Sequence, residues 1–199
     1  MSTNLNVIQS TRINLILLDE EALRYSLARD VKALKRALSI DVPPEWFEQI
    51  ELMKLRLSQM MQHPEFRPWS VRAIAARETD QMVGHIGFHT RPGAAYLHSL
   101  APNGVEFGYT VYPGFRRMGY AREASIALMD WAYRRHAISQ FVVTIAPGNI
   151  PSLKLAAGLG FKKIGSHVDE MDGVEDIYRL DYRNRDLADE PAMGRQAGE

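Results

Sequence analysis

Residues 12–18, RINLILL, alternate apolar and polar side chains and then run apolar, the pattern of a strand with one face on a core. Asp19 follows as a helix-capping residue with Glu20 and Glu21 behind it, where carboxylates favour a helix start, so a first helix is predicted to reach about Leu38. Pro43 and Pro44 interrupt the chain. Over residues 45–61, Trp46, Ile50, Met53, Leu57 and Met60 recur at steps of three and four, predicting a second helix that ends near His63-Pro64. From Trp69 the period drops to two: SVRAIAARE and QMVGHIGFH flank Thr79-Asp80, the pattern of an antiparallel hairpin. After a Gly- and Pro-containing connection at 92–103, VEFGYTVY at 105–112 is rich in β-branched and aromatic residues and reads as a further strand, stopped by Pro113-Gly114. Ile126, Met129, Ala132 and Tyr133 share one face of a helix over 121–136, and FVVTIA at 141–146 is the next strand. A strand, crossover helix and strand imply a parallel pair. Asn149-Ile-Pro-Ser opens another helix, closed by Gly158 and Gly160, and strands near 161–168 and 174–182 flank the hairpin signal Asp172-Gly173.

These elements describe one mixed α/β domain over residues 12–182, preceded by an extension, 1–11. The stretch NRDLADEPAMGRQAGE from 184 has no apolar period, so 183–199 read as a mobile tail. No internal repeat is evident. With 199 residues, 46% of them hydrophobic, the chain can bury one substantial core. Its 24 basic and 24 acidic side chains balance, giving no broad electrostatic footprint for nucleic acid or an anionic membrane. The absence of cysteine excludes disulfides, thiolate metal sites and a cysteine nucleophile. The start, MSTNLNVIQS, lacks the basic and apolar regions of a leader, and no stretch approaches the roughly 20 apolar residues that cross a bilayer. The cytoplasm is the expected location.

One segment carries chemistry. FRRMGYA, residues 115–121, joins a strand to a helix, so unpaired backbone N–H groups and the positive helix end are offered to an anion. Gly119 and Ala121 allow close approach, and Arg116 and Arg117 add charge suited to a diphosphate. Taken alone it is equally a surface turn with two solvated arginines. It is neither a Walker loop, which ends in Gly-Lys-Ser/Thr, nor a three-glycine dinucleotide fingerprint.

EFGYTVYPGFRRMGYAREA, residues 106–124, resembles the Gln/Arg-x-x-Gly-x-Gly/Ala motif of the GCN5-related N-acetyltransferases (GNAT), carried here by Arg116, Gly119 and Ala121. The flanking Tyr-x-Val-x-Pro and Arg-Glu-Ala look most like the branch containing the ribosomal-protein N-terminal acetyltransferases, the RimJ/RimL-like proteins. Asn149-x-x-Ser152 and then Leu159-Gly160-Phe161 are similar to the family's second conserved block. The resemblance covers residues 12–182, its specific part residues 105–161. It implies a twisted, mostly antiparallel sheet of about seven strands with about four flanking helices, its fourth and fifth strands parallel and splayed around acetyl-coenzyme A. The pantetheine arm would pair with backbone at Tyr109, Thr110 and Val111. The loop Arg116, Arg117, Met118, Gly119, Tyr120 and Ala121 would wrap the pyrophosphate, and Asn149 would contact the far side of the arm.

Attack of an amine on a thioester needs an unprotonated amine, a donor for the developing oxyanion and often an acid for the departing thiolate. Glu106, in the motif strand, is the candidate base, acting directly or through water, for which a raised pKa would suit. Otherwise it is an outward-facing strand residue. The Val111 N–H is the oxyanion donor that the resemblance implies. The family's usual tyrosine would fall at Ala156, so either Ser152 supplies the proton or the thiolate leaves unaided; Tyr120 and Tyr178 are weaker candidates. The acceptor is a primary amine, on a small molecule or a protein N-terminus, and a homodimer is allowed. The rivals are a non-catalytic acyl-CoA-binding sensor, favoured by Ala156, and a dinucleotide-dependent oxidoreductase.

His85 and His89 stand four apart, which on a strand separates them by roughly 13 Å and argues against a metal site. Trp46, Phe47, Met53, Met60 and Met61 either line an acceptor cleft or pack the core. Arg134-Arg135-His136 complements a helix C-terminus and needs no partner.

Overall fold

The computed structural model describes residues 6–169 and 173–182. They form one eight-stranded sheet in the order β1-β2-β3-β4-β5-β6-β8-β7, antiparallel throughout except between β5 and β6, with five α-helices. The strands are β1 (Val7–Gln9), β2 (Ile13–Leu17), β3 (Arg72–Ala76), β4 (Gln81–Phe88), β5 (Val105–Val111), β6 (Gln140–Ile145), β7 (Lys162–Asp169) and β8 (Gly173–Asp181). β1 is one strand more than expected: it lies inside the stretch read as an extension and pairs with β2 through Ile8↔Leu15.

The alternating segment behaves as its pattern requires, with Ile13, Leu15 and Leu17 buried and the residues between them half-exposed. β3 is buried along its whole length and β4 everywhere but Gln81, because central strands are covered on both faces. The helix expected to reach Leu38 is instead two, α1 (Glu20–Leu27) and α2 (Val31–Leu38). Arg29 takes a left-handed conformation, and the Asp30 carboxylate accepts from the Ala33 N–H, so a second N-cap restarts the helix inside one amphipathic run. α3 (Ile50–Gln62) buries Met53, Arg56 and Met60 and packs on α1. Trp46 and Phe47 are core residues, the indole N–H of Trp46 donating to Ser26 Oγ at 2.9 Å.

α4 (Tyr120–His136) crosses from β5 to β6, and α5 (Ile150–Gly158) from β6 to β7. The five helices again exceed the expected four. β7 and β8 pair antiparallel out to Asp169↔Gly173, as a hairpin demands, while Asp172 and the expected tail at 183–199 lie outside the described residues.

The arrangement that creates a site is at β5. Its antiparallel ladder with β4 runs from Phe88↔Phe107 to Gly84↔Val111, up to the end of the strand. Its parallel ladder with β6 consists of Val105↔Phe141 and Glu106↔Val142 alone, after which the strands part. Among the described residues no helix is long and apolar enough to cross a membrane.

Candidate active site

Where β5 leaves β6, one edge of its backbone loses its partner. The His89 N–H donates to Glu106 O and the Tyr112 N–H to Val83 O, so the alternation of an antiparallel ladder commits residues 106, 108, 110 and 112 to β4. Tyr109 and Val111 therefore turn their N–H and C=O groups toward the gap. The Val111 carbonyl is already taken, accepting from Arg116 Nε at 3.0 Å, so that arginine folds back on the strand and the Val111 N–H is left facing the opening.

Beyond the strand, Gly119 caps α4 at φ 84°, a conformation that L side chains rarely adopt, and exposes the helix's first amides. With the start of α5, this loop encloses a groove of about 810 Å³. Tyr109, Thr110, Val111, Arg116, Arg117, Gly119, Tyr120, Ala121, Asn149 and Ser152 all line it. Met118 does not: it is half-exposed, and its carbonyl accepts from Arg12 Nη1 at 3.0 Å. Asn149 also has structural work, its side-chain oxygen accepting the Ser152 N–H at 3.2 Å as the cap of α5.

Two further cations, Arg122 and Lys154, join Arg116 and Arg117 along the groove, and no carboxylate lines it. A narrow cleft of one sign favours a polyanion. The loop is braced from far away in sequence. Arg12 places its backbone N–H and its Nε on the two oxygens of Glu123 at 2.7 and 2.8 Å, and its guanidinium lies over the Tyr120 ring. Burial pushes the Glu123 carboxyl up, but the Arg12 contacts outweigh it and hold it below the ordinary value.

At the head of the groove the Tyr109 hydroxyl donates to Ser152 Oγ at 3.1 Å. Burial pushes the Tyr109 pKa up. A serine hydroxyl that accepts one hydrogen bond keeps its own proton free to donate, so the pair forms a short hydroxyl relay. Ala156, where the family resemblance would place a tyrosine, is buried. Tyr178 lies on β8, paired with Val143, and lines none of the three cavities around β5.

On the opposite face of β5, Glu106 is buried rather than outward-facing. Its carboxylate accepts from the Tyr96 hydroxyl and the Thr144 hydroxyl, both at 2.8 Å, and lies 3.4 Å from His89 Nδ1. Burial would raise its pKa, but His89, Tyr96 and Thr144 together hold it below the ordinary carboxylate value, contrary to the raised value expected of a base. Gly108 is what lets the imidazole cross the strand, since a Cβ there would stand 2.8 Å from His89 Nε2.

Beside this network a cavity of about 240 Å³ separates α3 from the β4/β5 face, lined by Leu52 and Arg56 of α3 and by His85, His89, Gly108, Tyr109 and Thr110. It shares Tyr109 and Thr110 with the groove, so the two spaces meet across the strand. His85 and His89 both reach this cavity, and the described residues contain no cluster of three metal-ligating groups. His85 is buried against Trp46 and faces the Tyr112 hydroxyl; burial, then the Arg56 cation, push its pKa down to about 4, so the ring is neutral. The aromatic and methionine residues considered for a cleft do not line it. Trp46, Phe47, Met53 and Met60 are core, and Met61 is exposed.

Sequence reasoning missed Arg56, Tyr96 and Arg12. Arg56 carried a usable signal, because it stands three residues after Met53 and four before Met60, inside the buried stripe of α3. Tyr96 sits in the 92–103 connection and Arg12 pairs across 111 residues, and no local pattern reports either.

The sequence model of the acetyltransferase (GNAT) domain matches residues 12–162. The chain is 27% identical over 160 residues to the uncharacterized N-acetyltransferase YjdG of Bacillus subtilis (strain 168), covering 78% of this chain and 89% of that one. It is 27% identical over 92 residues to the uncharacterized N-acetyltransferase YnaD of the same organism, 46% of this chain and about half, 49%, of YnaD's length. The fold is similar to RimL, a ribosomal L7/L12 α-N-protein acetyltransferase solved with coenzyme A, at a TM-score of 0.59 and 16% identity over 87% of this chain and 96% of that one. The chain belongs to the GNAT acetyltransferase family.

Proposed function

We propose that the protein transfers an acetyl group from acetyl-coenzyme A to a primary amine by direct attack, with no covalent enzyme intermediate. The observation that carries this reading is the meeting of a cation-lined groove and a second cavity at Tyr109 and Thr110, where β5 parts from β6 and leaves one backbone edge free, with Glu106 buried nearby. The groove's residues fit coenzyme A. The free edge at Tyr109 and Val111 suits the amides of a pantetheine arm, and the amides behind Gly119 with Arg116, Arg117, Arg122 and Lys154 suit a diphosphate. Bound there, acetyl-coenzyme A would supply the activated acyl group.

The amine approaches from the Glu106 side. Because Glu106 is held ionised, it attracts an ammonium group and accepts a proton, directly or through water, as the new C–N bond forms and the nitrogen becomes more acidic. The Val111 N–H faces the place where negative charge develops on the carbonyl oxygen. As the C–S bond breaks, Ser152 gives its proton to sulfur and draws on Tyr109 behind it. This pair supplies the hydroxyl chemistry that Ala156 lacks, which weighs against a binding-only sensor. The RimL likeness supports a RimJ/RimL-like placement and a protein N-terminal amine as one acceptor class; a small-molecule amine is the other.

Glu106→Gln tests the reading, with coenzyme A release followed over a panel of amines and acetyl-coenzyme A affinity measured separately. A loss of about a hundredfold or more in kcat at unchanged cofactor affinity is expected. Tight cofactor binding without turnover of any amine by the unaltered protein would favour the sensor, and stabilisation by NAD(P) in place of coenzyme A would revive the oxidoreductase.

A further inference from the structure

Two arginines are buried inside this domain without a carboxylate partner among the described residues, and they differ in a way that points to a ligand. Arg72 has both terminal nitrogens engaged: Nη1 donates to Asn6 O, Nη2 to Pro68 O, and its guanidinium lies over Trp131, leaving only Nε unpartnered. It lines no cavity around β5. Arg56 is nearly as inaccessible overall at 6% exposure, yet it forms part of the wall of the 240 Å³ cavity near Glu106. Its guanidinium lies over the Phe66 ring and Nη1 donates to Gln59 Oε1 at 2.8 Å and His89 O at 3.1 Å; Nε is buried without a partner, as in Arg72, but Nη2, unlike that of Arg72, has no acceptor among the described residues. Burying a cation with donors left over is costly unless something pairs with it. Burial lowers the Arg56 pKa to about 10, so the group keeps its charge at neutral pH.

Its position relative to Glu106 is set by one residue. Arg56 holds the backbone carbonyl of His89, and the imidazole of the same His89 lies 3.4 Å from the Glu106 carboxylate. Arg56 and His89 therefore share the wall of one small space, with the Glu106 carboxylate buried behind the His89 imidazole. Its volume falls below the roughly 300–1,000 Å³ of drug-sized ligand sites. Leu52 is the apolar side chain from α3 on its wall.

We infer that the acceptor is a small amine that also carries a carboxylate, of the amino-acid class, with its carboxylate on Arg56 and its amine toward Glu106 and the thioester. The inference rests on the acetyltransferase reading above and narrows its acceptor. The carboxylate of a free amino acid pairs with Arg56 in the cavity wall, whereas a long cationic amine would leave Arg56 unpaired and add a second positive charge beside it.

The test uses the full chain and a panel of free L-amino acids and short ω-amino acids, each matched to its carboxamide, which keeps the amine and removes the negative charge. With acetyl-coenzyme A, the acids should exceed their amides in kcat/KM by about ten- to a hundredfold, the range of a charge-assisted hydrogen bond. Arg56→Gln should erase that preference by raising KM for the acids while leaving cofactor affinity alone. The comparison of acid with amide in the unaltered protein stands even if the variant misfolds. Calorimetric titration of the same pairs separates the two claims. Binding of acids over amides that depends on Arg56, without any turnover, would uphold the carboxylate site and sink the transferase reading. Efficient acetylation that ignores the carboxylate, or prefers amides, polyamines or peptide N-termini, would overturn the inference and leave the transferase intact. Acids that neither bind nor react would overturn the carboxylate site outright.

Discussion

The two sides of β5 are built by opposite means. The groove draws on two nearly continuous segments, 109–122 and 149–155, and its recognition elements are largely backbone: the free edge at Tyr109 and Val111 and the amides behind Gly119. The cavity collects single side chains from distant parts of the chain, with Arg56 arriving from α3 and His85 and His89 from β4 and its end. A backbone site keeps its shape when side chains change, so the groove should tolerate most substitutions and fail mainly where conformation itself is altered. A side-chain site has no such insurance. One exchange at Arg56 should redirect the acceptor, while the donor stays the same.

The largest effect expected on the groove follows from that contrast. Gly119 sits at φ 84°, yet the nearest atom to a Cβ built there is Arg12 Nη2 at 3.2 Å, the mobile end of a long side chain. Space is therefore not the obstacle; backbone conformation is. Valine at this position forces roughly 1–3 kcal/mol of strain or a loop rearrangement. Gly119→Val should weaken coenzyme A binding by about ten- to a hundredfold in calorimetry. Arg117→Ala, which removes one exposed and screened charge, should cost only a few-fold. If the arginine variant loses more than the glycine variant, the groove is a charge site and the contrast is wrong.

On the cavity side the sharpest readout is stability against pH. The folded His85 pKa is about 4, well below the ordinary 6.5, so between these values the unfolded chain takes up a proton that the folded chain refuses. Stability from this residue is thus fully present above about pH 6.5 and is lost as the pH falls toward 4. The difference amounts to roughly 3 kcal/mol, or about 5–10 °C in Tm for a chain of this size. His85→Gln should flatten the fall in Tm across that window. Parallel curves for the two proteins would show that His85 is not the group held neutral beside Arg56.

How much of this was legible in the sequence depends on the range of the interaction. The period-two runs of β3 and β4, the loop ending in Gly119 and the Asn149 cap are local patterns, and each appears in the fold where its pattern places it. Failures begin where a local rule meets a competing one. The amphipathic run after Asp19 was unbroken in its apolar spacing, but Asp30 offered a cap and Arg29 accepted a left-handed turn, so one expected helix became two. Glu106 was visible as a strand carboxylate. The three donors that lower its pKa come from residues 89, 96 and 144, a convergence produced only by the sheet order. Arg56 was not singled out, although its spacing from Met53 and Met60 already placed it on the buried face.

The smallest expected effect tests whether the groove, built from local segments, relies on any distant side chain at all. Arg12 is that side chain, reaching Glu123 and the Met118 carbonyl from the start of the domain. Its side chain is 51% exposed, so the ion pair is worth well under its geometry and weakens with salt. The backbone N–H of residue 12 also donates to Glu123, and Arg12→Ala keeps that bond. Coenzyme A affinity should therefore fall only about two- to fivefold, with the difference from the unaltered protein narrowing as salt is raised. Glu123→Ala, which removes the acceptor for both contacts, should cost more than Arg12→Ala. Equal losses would mean that the guanidinium alone holds the loop, and the groove would then owe its shape to a side chain after all.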